Sequence, residues 1–129
     1  MDGVFLKNEN LEKRSLQKPL MWQISVDFYT EDPKLLNDVE YVKDALVKAA
    51  KEADISIISS NFHQFPVQGL SGFVFLEESH ISIHTWPEYS FGVLDIEVCD
   101  GEPEKALEFL KKAFKMTKYY VKRIERGLF

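Results

Sequence analysis

The chain has 129 residues, 45% of them hydrophobic and 13% aromatic, with a net charge of -5 and one cysteine. This is enough chain for one globular domain with a real core and too little for two. The acidic balance without a basic stripe argues against a nucleic-acid or anionic-membrane partner, and no apolar run approaches the roughly 20 residues of a membrane-spanning helix.

Residues 1–20 are polar and mixed in charge, have no sustained period and end at Pro19-Leu20, which predicts an arm outside the core. Charges run through this arm where a signal peptide would be apolar, and a lone thiol cannot form an internal disulfide. Both point to the cytoplasm. Trp22, Ile24, Val26 and Phe28 alternate with Gln23, Ser25 and Asp27, the two-residue period of a half-buried strand over 22–29. Pro33 then opens a helix predicted to about Ala53, with Leu35, Val39, Val42, Leu46, Ala49 and Ala53 as its apolar stripe. Strands follow over 55–62, 70–77, 81–86 and 91–98, with turn chemistry over 65–69. A second helix is predicted over 103–115, facing Ala106, Leu107, Leu110, Ala113 and Phe114 inward, and a last strand over 116–124. The order β-α-β-β-β-β-α-β with short turns predicts an α+β two-layer sandwich, an antiparallel sheet with two helices packed on one face.

The chemistry is concentrated between Glu78 and Cys99. His80 and His84 raise the question of a metal, but Ile81, Ile83 and Thr85 make their segment a strand, where four residues span about 13 Å, too far for two ligands of one ion. No glycine-rich phosphate loop, Gly-x-Ser-x-Gly elbow or Cys-x-x-Cys pair is present. The remaining reactive groups are a serine after a glutamate, two histidines and a thiol, which supply a nucleophile, acid/base groups and a proton donor. Taken singly, Ser79 reads as a strand serine, Cys99 as a small buried hydrophobe, and Phe65 and Trp86 as core aromatics.

The run Glu78-Ser79-His80-Ile81-Ser82-Ile83-His84-Thr85-Trp86-Pro87-Glu88-Tyr89, with Ser71-Gly72 before it and Cys99 after it, resembles the processing site of the prokaryotic S-adenosylmethionine decarboxylases. The resemblance extends more weakly through Phe62-His63, Phe65 and Gly69 and over the domain from 21 to 129. It implies self-cleavage between Glu78 and Ser79. The Ser79 hydroxyl attacks the Glu78 carbonyl, and elimination and hydrolysis leave a pyruvoyl group as the cofactor, with no metal and no pyridoxal phosphate. In the family positions, His84 is the acid/base of processing, Ser71 assists and positions, and Cys99 is the proton donor of decarboxylation. Phe65 stacks on adenine, Glu88 takes the ribose hydroxyls and Trp86 helps to form the pocket. The expected product is decarboxylated S-adenosylmethionine, the aminopropyl donor for spermidine, made by a homodimer of two-chain protomers with active sites built partly from both subunits.

Five residues of ideal strand put Ser79 and His84 on opposite faces, so a turn or irregular backbone is expected at Glu78-Ser79. The sequence departs from the usual family pattern where strand one begins Leu20-Met21-Trp22-Gln23 in place of a Gly-basic-His start. Cys99 is followed by Asp100-Gly101 where glycine usually comes directly, and the arm is extra. Some relatives with this processing motif decarboxylate arginine or ornithine instead, so those substrates, and a non-catalytic regulatory homologue, are the alternatives. His80 and Ser82 are expected to face one side of their strand, opposite Ile81 and Ile83.

Overall fold

The computed structural model describes residues 19–77 and 79–127. Six strands form one antiparallel sheet: β1 (Met21–Thr30), β2 (Ile57–Gln64), β3 (Leu70–Leu76), β4 (Ser79–Trp86), β5 (Phe91–Val98) and β6 (Met116–Arg126). Their order across the sheet is β2-β3-β4-β5-β1-β6. Two helices, α1 (Val39–Glu52) and α2 (Pro103–Ala113), cover one face, as the sequence period predicted. The alternation in β1 buries Ile24, Val26 and Phe28 under these helices, where they meet Leu46 and Ala49 of α1 and Leu107 and Leu110 of α2. Ile81 and Ile83 of β4 and Leu94 and Ile96 of β5 complete the core. Burying a side chain of this size contributes on the order of 1.5–3 kcal/mol, so the helix-facing side of the sheet is the main source of stability.

The opposite face carries no layer of its own among the described residues. Tyr29, Phe73, Phe75, Trp86, Tyr120 and Ile124 stand exposed on it, beside the polar Ser71, His80, Ser82, His84 and Asp95. His80 and Ser82 do face away from Ile81 and Ile83, as expected.

The single helix expected over 33–53 is broken. A 3-10 turn at Pro33–Asn37 and α1 are separated by Asp38, which is extended and caps α1 by accepting the Tyr41 N–H at 3.0 Å. The buried leucine of that turn is Leu36, not Leu35. Asparagine and aspartate compete with helix by offering side-chain bonds to backbone: Asp38 takes the Tyr41 N–H, and Asn37 reaches away to the Gly69 N–H. The second helix ends at Ala113 instead of Lys115, which has a positive φ of 47°. Its first turn is tied to β6 by the Arg123 guanidinium, which donates twice to Glu104, at 2.6 and 2.7 Å, and holds that carboxyl below the usual range. The arm lies outside the described residues up to residue 18. Pro19 and Leu20 belong to the fold: Pro19 is buried and the Leu20 N–H donates to the Arg126 carbonyl at 2.9 Å.

Thr85 joins the 3-10 turn to the sheet. It is 5% exposed, donates to the Leu36 carbonyl at 2.7 Å and accepts the Leu70 N–H at 3.0 Å. Thr85→Val keeps the shape and leaves both backbone groups unpaired, so it is expected to cost about 2–3 kcal/mol in a urea-unfolding midpoint measurement. A midpoint within error of the parent would show that these bonds carry no net stability.

Candidate active site

The chemistry-bearing residues fall into two groups at opposite ends of β4. The first is Ser79 and Cys99. Ser79 opens β4 opposite Leu76 of β3, and the pairing of His80 with Glu97 brings the end of β5 beside it. Ser79 is 7% exposed, and its hydroxyl donates to the Glu77 carbonyl at 3.0 Å. Cys99, one residue past β5, is half-buried. Both line a cavity of about 610 Å³ that also takes in Pro19, Leu20, Ile55 and Gly101. The extra Asp100 is absorbed by a local turn in which its carboxylate accepts the Gly101 N–H at 2.8 Å. Gly101 then has a φ of +82°, and a Cβ there would lie 2.7 Å from the Ala53 carbonyl oxygen, so glycine is displaced by one position but is still required.

The second group is Ser71, His84, Phe65 and Trp86. Ser71 of β3 lies opposite His84 of β4, and the Ser71 Oγ is 2.7 Å from the His84 Nδ1. Which of the two donates depends on the imidazole tautomer. Trp86 follows on the same face, its ring 6.0 Å from that of Phe91, and Glu88 is exposed in the 3-10 turn Pro87–Tyr89. Phe65 opens the turn predicted over 65–69, which closes by its N–H donating to the Gly69 carbonyl at 2.9 Å. Its ring meets the edge of His63 at 4.9 Å between centroids.

Asn37 sets this turn in place: its Oδ1 accepts the Gly69 N–H at 2.8 Å and the Gln64 side-chain amide at 2.9 Å. Its role was not read from the sequence, although an asparagine inside a presumed helix signals a backbone bond elsewhere.

β4 runs as a regular strand from Ser79 to Trp86 with its side chains alternating between the faces. The bend expected to bring Ser79 to His84 is therefore absent from β4, and the Glu78 part of that expectation lies outside the described residues. Ser79 and His84 lie on opposite faces and five residues apart, roughly 16 Å along the strand. Within one chain the nucleophile and the imidazole do not meet.

Residues 22–127 match the family model described as S-adenosylmethionine decarboxylase. The chain belongs to the S-adenosylmethionine decarboxylase family. The S-adenosylmethionine decarboxylase proenzyme of Acidithiobacillus ferrooxidans is 42% identical over 107 residues, covering 81% of this chain and 80% of that protein. The proenzyme of Thermotoga maritima is 40% identical over 112 residues, covering 85% and 86%. The crystal structure of the adenosylmethionine decarboxylase from Aquifex aeolicus superposes with a TM-score of 0.81 at 32% identity, over 87% of this chain and 94% of that one. The resemblance read from the 78–89 run is borne out, as is the antiparallel sheet with two helices. These relatives carry the decarboxylase reading rather than its arginine, ornithine or non-catalytic alternatives. No helix among the described residues is long and apolar enough to cross a membrane.

Proposed function

We propose that the chain is made as a proenzyme, cleaves itself before Ser79, and then decarboxylates S-adenosylmethionine as a cytoplasmic homodimer. The observation that carries this reading is the division of the site: Ser79 with Cys99 at one end of β4, and Ser71 with His84 and the two aromatics at the other. Each group lacks what the other holds. A two-fold axis running across the strands between two open faces exchanges the ends, bringing the Ser71–His84 pair of one subunit to the end of its partner's β4 where the Glu78–Ser79 bond lies. The exposed Phe73, Phe75 and Trp86 on that face are apolar surface that such pairing would cover.

In the processing step the Ser79 Oγ bonds to the Glu78 carbonyl carbon, a base takes the hydroxyl proton, and the C–N bond breaks as the nitrogen is protonated, leaving an ester. Removal of the Ser79 α-proton then expels the Glu78 carboxylate, and one water hydrolyses the unsaturated amine to a pyruvoyl group and ammonia. A serine is a weak nucleophile towards an amide, so this route needs a base, the role assigned to His84 with Ser71 as its hydrogen-bonded support. The pyruvoyl group supplies an electron sink for the charge left when the substrate loses carbon dioxide. Cys99, which lines the same cavity as Ser79, is the group assigned to give its proton to the substrate carbon.

Phe65 and Trp86 favour a substrate with a planar base, with Glu88 nearby for ribose hydroxyls; ornithine has nothing to stack there, and arginine, whose guanidinium can stack on a ring, has no ribose for Glu88. Side-by-side assays of carbon dioxide release are expected to give a rate on S-adenosylmethionine roughly 100-fold or more above that on arginine or ornithine. A faster release from either amino acid would overturn the substrate assignment and leave the processing chemistry standing.

A further inference from the structure

His63 has no part in the chemistry above, yet the sheet register sets it beside that chemistry. It lies opposite Ser71 in the β2–β3 ladder, and Ser71 lies opposite His84 in the β3–β4 ladder. The three side chains therefore form one row on the open face, and directly opposed residues have Cβ atoms about 4.5–5.5 Å apart. All three line one cavity of about 290 Å³. The other polar side chains lining it, Asn61 and Ser82, lie on the next row, opposite Phe73, at diagonal positions to Ser71. No carboxylate, lysine or arginine lines it. The His63 ring is steadied by its edge contact with Phe65, at an interplanar angle of 78°.

The Ser71 hydroxyl has one proton, and its direction decides what His84 can do. If Ser71 donates to the His84 Nδ1, the neutral imidazole carries its proton on Nε2 and has no lone pair there to act as a base. If the Ser71 proton is accepted elsewhere, the His84 Nδ1–H donates to the Ser71 Oγ and Nε2 is free. The acceptor-bearing side chain that the register sets opposite Ser71 is the imidazole of His63. We infer that His63 is a positioning residue: it accepts the Ser71 hydroxyl proton and so fixes His84 in the tautomer whose Nε2 is the base. No net proton is gained or lost, since the single ring proton of His84 is carried on Nδ1 instead of Nε2. This rests on the reading that His84 is the processing base.

The test is a nitrogen-15 NMR measurement of histidine tautomers on the neutral rings, taken at a pH above which their signals no longer change. Only three histidines need assignment. In the parent protein His84 is expected as the Nδ1–H form. In His63→Phe, which keeps a ring against Phe65 and removes both nitrogens, it is expected to revert to Nε2–H, with self-cleavage roughly tenfold slower. His63→Gln, which restores an acceptor, is expected to recover most of both. Should His63→Phe not fold, His63→Leu is read the same way. His84 as Nε2–H in the parent, or an unchanged tautomer and cleavage rate in His63→Phe, would overturn the inference. If in that case His84→Ala still abolishes cleavage, only the role of His63 falls. Failure of the parent to cleave would instead strike the processing reading, while the tautomer measurement still decides the inference.

Discussion

Ser79→Ala is expected to yield a chain that stays whole on prolonged incubation and has no decarboxylase activity, a loss of at least about 1,000-fold that reaches the assay background. The substitution removes the only oxygen that can attack the preceding carbonyl and, with it, the source of the carbonyl cofactor. Its structural cost is small. One hydrogen bond to the Glu77 carbonyl disappears, worth about 1 kcal/mol, and the apolar neighbours Leu76 and Ile81 tolerate a methyl group. The variant should therefore fold and dimerise, and its silence in assay would be chemical. Cleavage of Ser79→Ala at the parent rate would remove Ser79 from the mechanism.

Co-expression of Ser79→Ala with His84→Ala is expected to restore cleavage that neither variant has alone. In a mixed dimer one site combines the intact Ser79 of one subunit with the intact His84 of the other, and the second site lacks both. With random pairing about half of the His84→Ala chains sit in mixed dimers, so about half of them should be cut, while the Ser79→Ala chains stay whole. The reason lies in β4: an extended strand holds its two key side chains roughly 16 Å apart and on opposite faces, and no packing change short of breaking the ladder with β3 and β5 joins them. Mass spectrometry of tagged chains reads the outcome. No cleavage in the co-expressed pair would mean that one protomer builds its own site.

The sequence made the helix-facing half of the fold legible because burial there follows local periods. Two-residue alternation in 22–29 gave β1, and three- and four-residue steps gave α1 through Val42, Leu46 and Ala49. The break at Asp38 was hidden because the apolar stripe read from the sequence continues across it from Leu35 to Val39, and the competing interaction, Asn37 to the 65–69 turn, is 32 residues away in sequence. The site residues were legible as a set, since most of them lie in one short run. Their division was half legible. Period two already set Ser79 and His84 on opposite faces, and from Ser79 onward β4 keeps them there because the strand is pinned by neighbours on both sides. The pairings of Ser71 with His84, and of the end of β5 with the start of β4, are non-local and have no signature in either segment alone. His63 drew no role for the same reason: its meaning comes from standing opposite Ser71.

The central claim is that this chain cuts its own backbone before Ser79, and intact mass over time tests it most directly. Freshly purified protein incubated at neutral pH is expected to resolve into two fragments, residues 1–78 and residues 79–129, the second beginning with a pyruvoyl group in place of serine. A single chain of 15.0 kDa persisting unchanged would contradict it.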